Sequence, residues 1–143
     1  MHPTWVQESE TLTMTYRHAI VWLDHHEATV IDYSLDDRHV VDIVNERAPR
    51  KIHRKSGIPG TGREGDPRPF FEEIVSAVGT AEEVLVTGPG TAKTEFRHHI
   101  EAKHRRLLQR IVGWEPLDHP SDGQLLTFAK QYFKKVDALR GTV

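Results

Sequence analysis

Three short apolar runs separated by polar turns determine what the first part of this chain can form. Residues 18–23 are apolar and partly β-branched, and a polar stretch at 24–27 separates them from a similar run at 28–33. A third run follows at 39–44. Short apolar runs bounded by turn residues are typical of strands joined as hairpins. This part of the sequence therefore predicts an antiparallel meander that begins near residue 17.

Helical and strand patterns alternate in the second half. A helical stripe starts at Pro67 or Pro69 and stops at Gly79, and the apolar run 83–87 is typical of a central strand. The pattern then predicts a helix over about 92–106, an edge strand around 111–114 and a last helix whose apolar stripe continues to Leu139. A meander followed by such alternation predicts an α/β fold in which helices pack on a mixed sheet.

The size and composition fit one domain. The chain has 143 residues, no cysteine and no apolar run of membrane-spanning length, so disulfides, thiolate metal sites and a membrane location are not expected. Residues 1–15 show no apolar period and are expected to be a disordered leader, with the domain at 16–140. The absence of a secretion signal favours the cytoplasm.

Charge is distributed unevenly. The formal net charge is -2, but residues 1–46 hold two basic and nine acidic residues, which leaves +5 on the rest. The segment 47–68 alone carries seven basic and two acidic residues, and glycine and proline interrupt any apolar period. Long loops of this kind are generally functional or disordered. A basic arm can follow a phosphate backbone, so nucleic acid is the favoured partner, and two solvated faces of opposite charge are the alternative.

The strand at 83–87 is followed by Gly88-Pro89-Gly90 and a helix start. A helix N-terminus presents free backbone N–H groups and a positive dipole end, which suit a phosphate with Lys93 as its counter-ion. Neither a Walker loop nor Gly-x-Gly-x-x-Gly is present, so nucleotide hydrolysis is not indicated. The alternative is a tight turn between a strand and a helix, with Thr91 as the N-cap.

Residues 88–96, Gly-Pro-Gly-Thr-Ala-Lys-Thr-Glu-Phe, resemble the middle domain of the archaeal and eukaryotic peptide-release factors and of Pelota. In that family an equivalent strand precedes a Gly-x-x-x-x-Lys-x-x-(Phe/Leu) helix start. The meander, the basic loop and the last helix fall in the same order, so the resemblance covers about residues 17–139. Similar stand-alone bacterial chains are called translational machinery protein. The resemblance implies a ribonuclease-H-like α/β fold and a role in translation.

The loop departs from the family pattern. Release factors carry Gly-Gly-Gln there, which promotes hydrolysis of peptidyl-tRNA, whereas residues 53–66 lack it and the later Gly123-Gln124 lies in the last helix cap. The resemblance therefore implies ribosome or tRNA binding without this hydrolysis, as in Pelota, which also lacks the tripeptide. The family's flanking domains, which read codons and recruit a GTPase, are expected to be absent.

The expected partner is the ribosome or another structured RNA, and the expected phosphate contacts are all basic side chains. Five lie in the loop and three in the region after Gly90: Arg50, Lys51, Arg54, Lys55, Arg63, Lys93, Lys103 and Arg106. Residues 99, 103, 106 and 110 also recur at helical spacing, which predicts one continuous positive face. A solvated helix face is the alternative interpretation of that pattern.

Metal sites and cofactors are not expected. Among the ten histidines, His25-His26 and His98-His99 are adjacent pairs whose side chains point to different sides. His99 and His104 miss the i, i+4 spacing of a helical zinc site.

Two other functions stay open beside a non-enzymatic binding role, which is favoured. One is a magnesium-dependent nuclease, since the fold class suggests a carboxylate set made of Asp24, Glu72 or Glu73, and Asp118 or Asp122. The other is a protein-protein module that uses the Phe70/Phe71 helix or the edge strand. The sequence leaves the oligomeric state open.

Overall fold

The computed structural model describes residues 16–48 and 65–140, so the predicted leader and residues 49–64 of the basic loop lie outside the described residues. The described part contains five strands and four helices. In chain order they are β1 (His18–Leu23), β2 (Glu27–Tyr33), β3 (Arg38–Val44), α1 (Arg68–Val78), β4 (Glu83–Gly88), α2 (Ala92–Lys103), α3 (Arg105–Arg110), β5 (Ile111–Pro116) and α4 (Asp122–Arg140).

The five strands form one mixed sheet in the order β3-β2-β1-β4-β5. β2 is antiparallel to both β1 and β3, which gives the predicted meander. β4 is parallel to β1 and β5 is parallel to β4, so the later strands are added through helical crossovers. The predicted α/β architecture is confirmed.

Helices cover both faces of the sheet, because successive residues of the central strands point to opposite sides. On one face, Ala19, Val21 and Leu23 of β1 pack with α1, α2 and Leu107 of α3. On the other face, Ile20 and Trp22 pack against α4. The unbroken apolar runs in β1 and β4 are thus explained by burial on two sides.

Helix α1 begins and ends where the sequence predicts. Pro67 occupies the N-cap and Pro69 lies in the first turn, positions in which the missing proline N–H removes no helical hydrogen bond. Gly79 follows the last helical residue with φ of 61°, a conformation that favours glycine. Phe70 and Phe71 are each 3% exposed and form the centre of the buried side.

Helix α4 starts in a capping box. Ser121 Oγ accepts a hydrogen bond from Gln124 N at 3.1 Å, and Gln124 Oε1 accepts one from Ser121 N at 2.9 Å. The predicted stripe is correct through Phe133, which is 2% exposed. Leu139 is 88% exposed, so the prediction that the buried stripe continues to this residue is wrong.

The helix predicted over about 92–106 is two helices. α2 ends at Lys103, His104 adopts φ of -137° and ψ of 60°, and α3 begins at Arg105. Thr91 is the N-cap residue of α2 as predicted, but its side chain forms no capping hydrogen bond. The break at His104 redirects the chain before β5.

Asp32 of β2 is a buried carboxyl that makes the stability depend on pH. It is 6% exposed, and within the described residues its Oδ1 has no hydrogen-bond partner. Burial raises the pKa of Asp32 from 3.8 to about 7. The folded state therefore retains the proton more tightly than the unfolded state, and this group's contribution falls as the pH rises from about 4 to about 7.

We expect Asp32→Asn to stabilise the protein by about 1–3 kcal/mol at pH 8, with the gain vanishing near pH 4, because asparagine removes the buried charge. Urea unfolding of both proteins across this pH range measures the difference. Asp36→Asn, in the exposed turn after β2, is the matched control and should follow the wild-type profile. An Asp32→Asn gain that is equal at both pH values would contradict this assignment.

Candidate nucleic-acid interface

The carboxyl ends of four strands meet at one edge of the sheet. β1, β3, β4 and β5 run in the same direction, and their last residues are Leu23, Val44, Gly88 and Pro116. In open α/β sheets, ligands generally bind beyond this edge. The basic loop and the Gly-Pro-Gly turn both leave from it, so the candidate site is built here.

Asn45 fixes the chain where the basic loop begins. Its backbone N donates to His26 O and its Nδ2 donates to His25 O, both at 2.8 Å. Its Oδ1 accepts a hydrogen bond from Arg47 N at 3.1 Å. One side chain thereby joins the end of β3 to the turn between β1 and β2, and the loop leaves from a fixed position.

The two ends of the loop are held together. Gly65 N donates to Arg47 O at 2.9 Å, so the chain returns to the place from which it left. Gly65 has φ of 102°, a conformation that residues other than glycine rarely adopt. The base of the loop is therefore a defined part of the fold.

Arg68 is paired at the return side of the loop. Its Nη2 lies 2.9 Å from Asp66 Oδ2, and its backbone N donates to Asp66 Oδ1 at 3.0 Å. The side-chain hydrogen bonds from Arg68 lower the pKa of Asp66 to about 2. Arg68 is thus the one of the seven basic loop residues that the described structure shows in an ion pair.

Lys93 lies in the first turn of α2, and its side chain reaches back to the turn before the helix. Its Nζ donates to Gly88 O at 2.9 Å and to Gly90 O at 3.3 Å. Gly88 itself packs against the carbonyl of Leu23, where a Cβ atom would come within 2.1 Å of the oxygen. These contacts match the tight-turn interpretation of the motif, with the ammonium group closing the turn.

The predicted continuous positive face is wrong, because α2 ends before His104. His99 has a side chain that is only 8% exposed. The guanidinium of Arg110 donates to the backbone carbonyls of Gly79 and Ala81 and thereby ties α3 to the end of α1. The side chains of His99 and Arg110 therefore do not form a continuous positive face with Lys103 and Arg106.

Lys103 and Arg106 are exposed, as an interface requires. Lys103 lines an open depression together with Asp66 and Arg68, so it lies beside the return side of the loop. Within 16–48 and 65–140, neither residue takes part in an ion pair. The other predicted contacts, Arg50, Lys51, Arg54, Lys55 and Arg63, lie outside the described residues.

Glu72 and His99, which also line this depression, belong to a cluster with His104 that the sequence did not reveal. The Nε2 atoms of His99 and His104 are each 2.7 Å from Glu72 Oε2. Hydrogen bonds from His104 and His99 hold the pKa of Glu72 below its usual value. The prediction of one continuous helix that contains both histidines is wrong. The helix ends before His104, and this break allows both rings to contact the same carboxylate.

The carboxylates of the nuclease hypothesis do not converge. Asp24 accepts hydrogen bonds from the backbone N of His26 and Glu27 at 2.8 and 2.9 Å, and these hold its pKa below the usual value although burial acts in the opposite direction. Its Oδ2 lies 3.3 Å from His119 Nε2. Among the described residues, Asp24 belongs to no group of three ligand atoms within 4.8 Å.

Of the two surfaces considered for a protein-protein module, the Phe70/Phe71 side of α1 is not available. Phe70 and Phe71 are buried against the sheet and present no side chain to a partner. The predicted edge strand is β5, which lies at one edge of the sheet and whose residues 111–115 are half-buried. At the opposite edge, β3 exposes Val40 and Val44, which are 37% and 64% exposed. Among the described residues, none of the helices combines the length and the apolar character that crossing a membrane requires.

The chain is similar to Pelota in sequence and in fold. A protein pelota homolog from Methanococcus aeolicus is 27% identical over 104 residues, which cover 70% of this chain and 27% of that protein. No family model matches the chain.

Solved structures of Pelota and of a translation termination factor are similar to this chain in fold. Archaeoglobus fulgidus Pelota matches 92% of this chain with a TM-score of 0.56 and 10% identity, and Thermoplasma acidophilum Pelota matches 90% with 0.56 and 16%. The archaeal translation termination factor aRF1 matches 87% with 0.54 and 17%. This likeness confirms the predicted ribonuclease-H-like fold class and the predicted resemblance.

The chain spans only part of each of these proteins. It covers 27% of the Methanococcus protein and between 36% and 39% of the three solved chains. The similarity therefore concerns one domain of larger proteins.

Proposed function

We propose that this chain is a translation-associated protein that binds the ribosome or tRNA through the basic loop at 47–68. The observation that carries the proposal is a strongly basic arm with tied ends, in a chain that is similar to a domain of Pelota. The sequence contains no Gly-Gly-Gln, so the proposed role is binding without hydrolysis of peptidyl-tRNA.

Electrostatics support an RNA partner. Five basic loop residues lie between Ala48 and Gly65, the exposed Lys103 adds a positive charge beside the return side of the loop, and Arg106 is also exposed. Each phosphate that a basic side chain neutralises releases a condensed counterion, so the affinity falls steeply with salt. Five such contacts correspond to a loss of about 10²–10³-fold in affinity between 50 and 200 mM salt.

The test is sedimentation of the purified full chain with ribosomes, and binding to labelled tRNA, at these two salt concentrations. In the main variant, Arg54→Glu and Lys55→Glu are combined. We expect the variant to lose at least about tenfold in affinity at low salt and to show a shallower salt dependence. A second variant replaces 50–63 with a Gly/Ser linker of equal length, which keeps the Arg47–Gly65 hydrogen bond, and it should lose most binding.

The matched control makes the same charge change elsewhere. Lys134 and Lys135 are exposed on α4, so Lys134→Glu with Lys135→Glu should leave binding nearly unchanged. Equal losses in both double variants would mean that net charge and not the loop governs binding. No salt-sensitive binding by the wild type would overturn the proposal.

Two activity assays separate the proposal from the enzymatic alternatives. Incubation with magnesium and structured RNA should give no cleavage, and cleavage that Asp24→Asn abolishes would establish the nuclease instead. Incubation with peptidyl-tRNA on ribosomes should release no peptide, and release would show that hydrolysis proceeds without Gly-Gly-Gln.

A further inference from the structure

We propose that Glu72, His99 and His104 form a divalent transition-metal site of the kind that zinc occupies. The three side chains come from two separate parts of the fold. Glu72 projects from α1, whereas His99 lies on α2 and His104 at the junction of α2 and α3. A metal ion here would join α1, which follows the basic loop, to the helices that precede β5.

The ligand atoms already converge. Glu72 Oε2 lies 2.7 Å from both His99 Nε2 and His104 Nε2, and one ligand atom from each residue lies within 4.8 Å of the other two. Two imidazoles and one carboxylate are a ligand set found in zinc sites that keep a fourth position for water or substrate. The site opens into the depression lined by Lys103 and Asp66, so a fourth ligand has access.

Metal binding needs only a small movement. Tetrahedral zinc with bonds of about 2.0–2.1 Å separates its ligand atoms by about 3.3 Å, against 2.7 Å here. The side chain of Glu72 is 48% exposed and can move by this amount without disturbing the core. The two histidine rings are 5.7 Å apart between centroids, and their Nε2 atoms face the same oxygen of Glu72.

Packing fixes the orientation of the first histidine. The His99 ring lies 5.4 Å from the ring of Phe71, which in turn contacts Phe96 at 5.3 Å between centroids. With its side chain only 8% exposed, His99 loses little conformational freedom when it coordinates a metal. Such preorganisation favours binding because less entropy is lost.

The surrounding charges allow a cation. Asp66 and Arg68 neutralise each other at the rim, and Lys103 is exposed with a side chain that can turn away into solvent. The carboxylate of Glu72 supplies the negative charge that a divalent ion needs beside two neutral imidazoles.

The test uses the full chain, freed of metal with a chelator and titrated with zinc chloride by calorimetry. We expect one zinc ion per chain and a rise in Tm of about 5–10 °C when the metal is present at about a hundredfold its Kd. Cobalt substitution should give the visible absorption of a tetrahedral site. His104→Gln and Glu72→Gln should each weaken zinc binding by at least about 10–100-fold.

The variants are chosen so that folding does not obscure the result. Glu72 and His104 are partly exposed, so their replacement should leave the metal-free protein folded, which circular dichroism verifies. His98→Gln is the matched control, since His98 neighbours His99 on α2 but is exposed outside the cluster. Absence of zinc binding, or binding that His104→Gln leaves unchanged, would overturn the site and leave a hydrogen-bonded cluster.

Discussion

Replacement of Gly88 by alanine is expected to destabilise the protein by about 3 kcal/mol or more. The added Cβ would lie 2.1 Å from Leu23 O and 3.3 Å from Leu23 C, which are backbone atoms of the neighbouring central strand. A flexible side chain could rotate away, but this carbonyl belongs to β1 and can move only with the strand. Urea unfolding of the variant and the wild type measures the loss.

Gly90 offers the matched control in the same turn. No atom lies within 4 Å of a Cβ built on it, so Gly90→Ala should change the stability by no more than about 0.5 kcal/mol. If both variants unfold at the same urea concentration as the wild type, β1 and β4 tolerate a wider separation than the structure shows. The predicted difference would show that Gly88 is required for the close packing of β4 on β1.

Truncation of Phe133 to alanine is the second change with a large expected effect. Phe133 is 2% exposed and packs beside the stacked rings of His18 and Tyr33, with its ring centroid 4.3 Å from that of His18 and 6.4 Å from that of Tyr33. Its loss leaves a cavity where α4 packs on the sheet, and we expect about 3–5 kcal/mol of destabilisation. Thermal and urea unfolding provide the measurement.

Leu139 lies on the same predicted stripe and is the natural comparison. Because it is 88% exposed, Leu139→Ala should cost less than about 0.5 kcal/mol. A loss at Leu139 comparable to that at Phe133 would mean that the end of α4 is covered in solution.

Local patterns predicted the fold well because its elements carry their own boundary signals. The meander has apolar runs closed by turns, and α1 is bounded by Pro67 and Gly79. The prediction that Leu139 is buried was wrong because of the length of α4. α4 has 19 residues and spans about 28 Å, whereas a six-residue strand spans about 20 Å, so the last turns of the helix extend beyond the sheet.

The histidine cluster was not predictable from the sequence. No glycine or proline marks a break at His104, and the residue that joins the two histidines, Glu72, lies 27 and 32 positions away from them. The spacing rule for a helical metal site assumes one continuous helix, whereas here one helix ends at Lys103 and the next begins at Arg105. The hydrogen bonds of Lys93 to the carbonyls of Gly88 and Gly90 could not be foreseen either, since they depend on how the turn closes, and its role as a phosphate contact stays a prediction.

The hydrogen bond from Gly65 N to Arg47 O holds the two ends of the basic loop together. The geometry of the sheet and helices therefore does not depend on the length of this loop. Closing a longer loop costs only about 0.6 kcal/mol for each doubling of its length, so the stability of the fold depends only weakly on the number of residues between these ends. The length and sequence of this loop can therefore change while the core stays the same. For engineering, the interval between Ala48 and Gly65 is an insertion point where a foreign peptide or a small domain can be grafted.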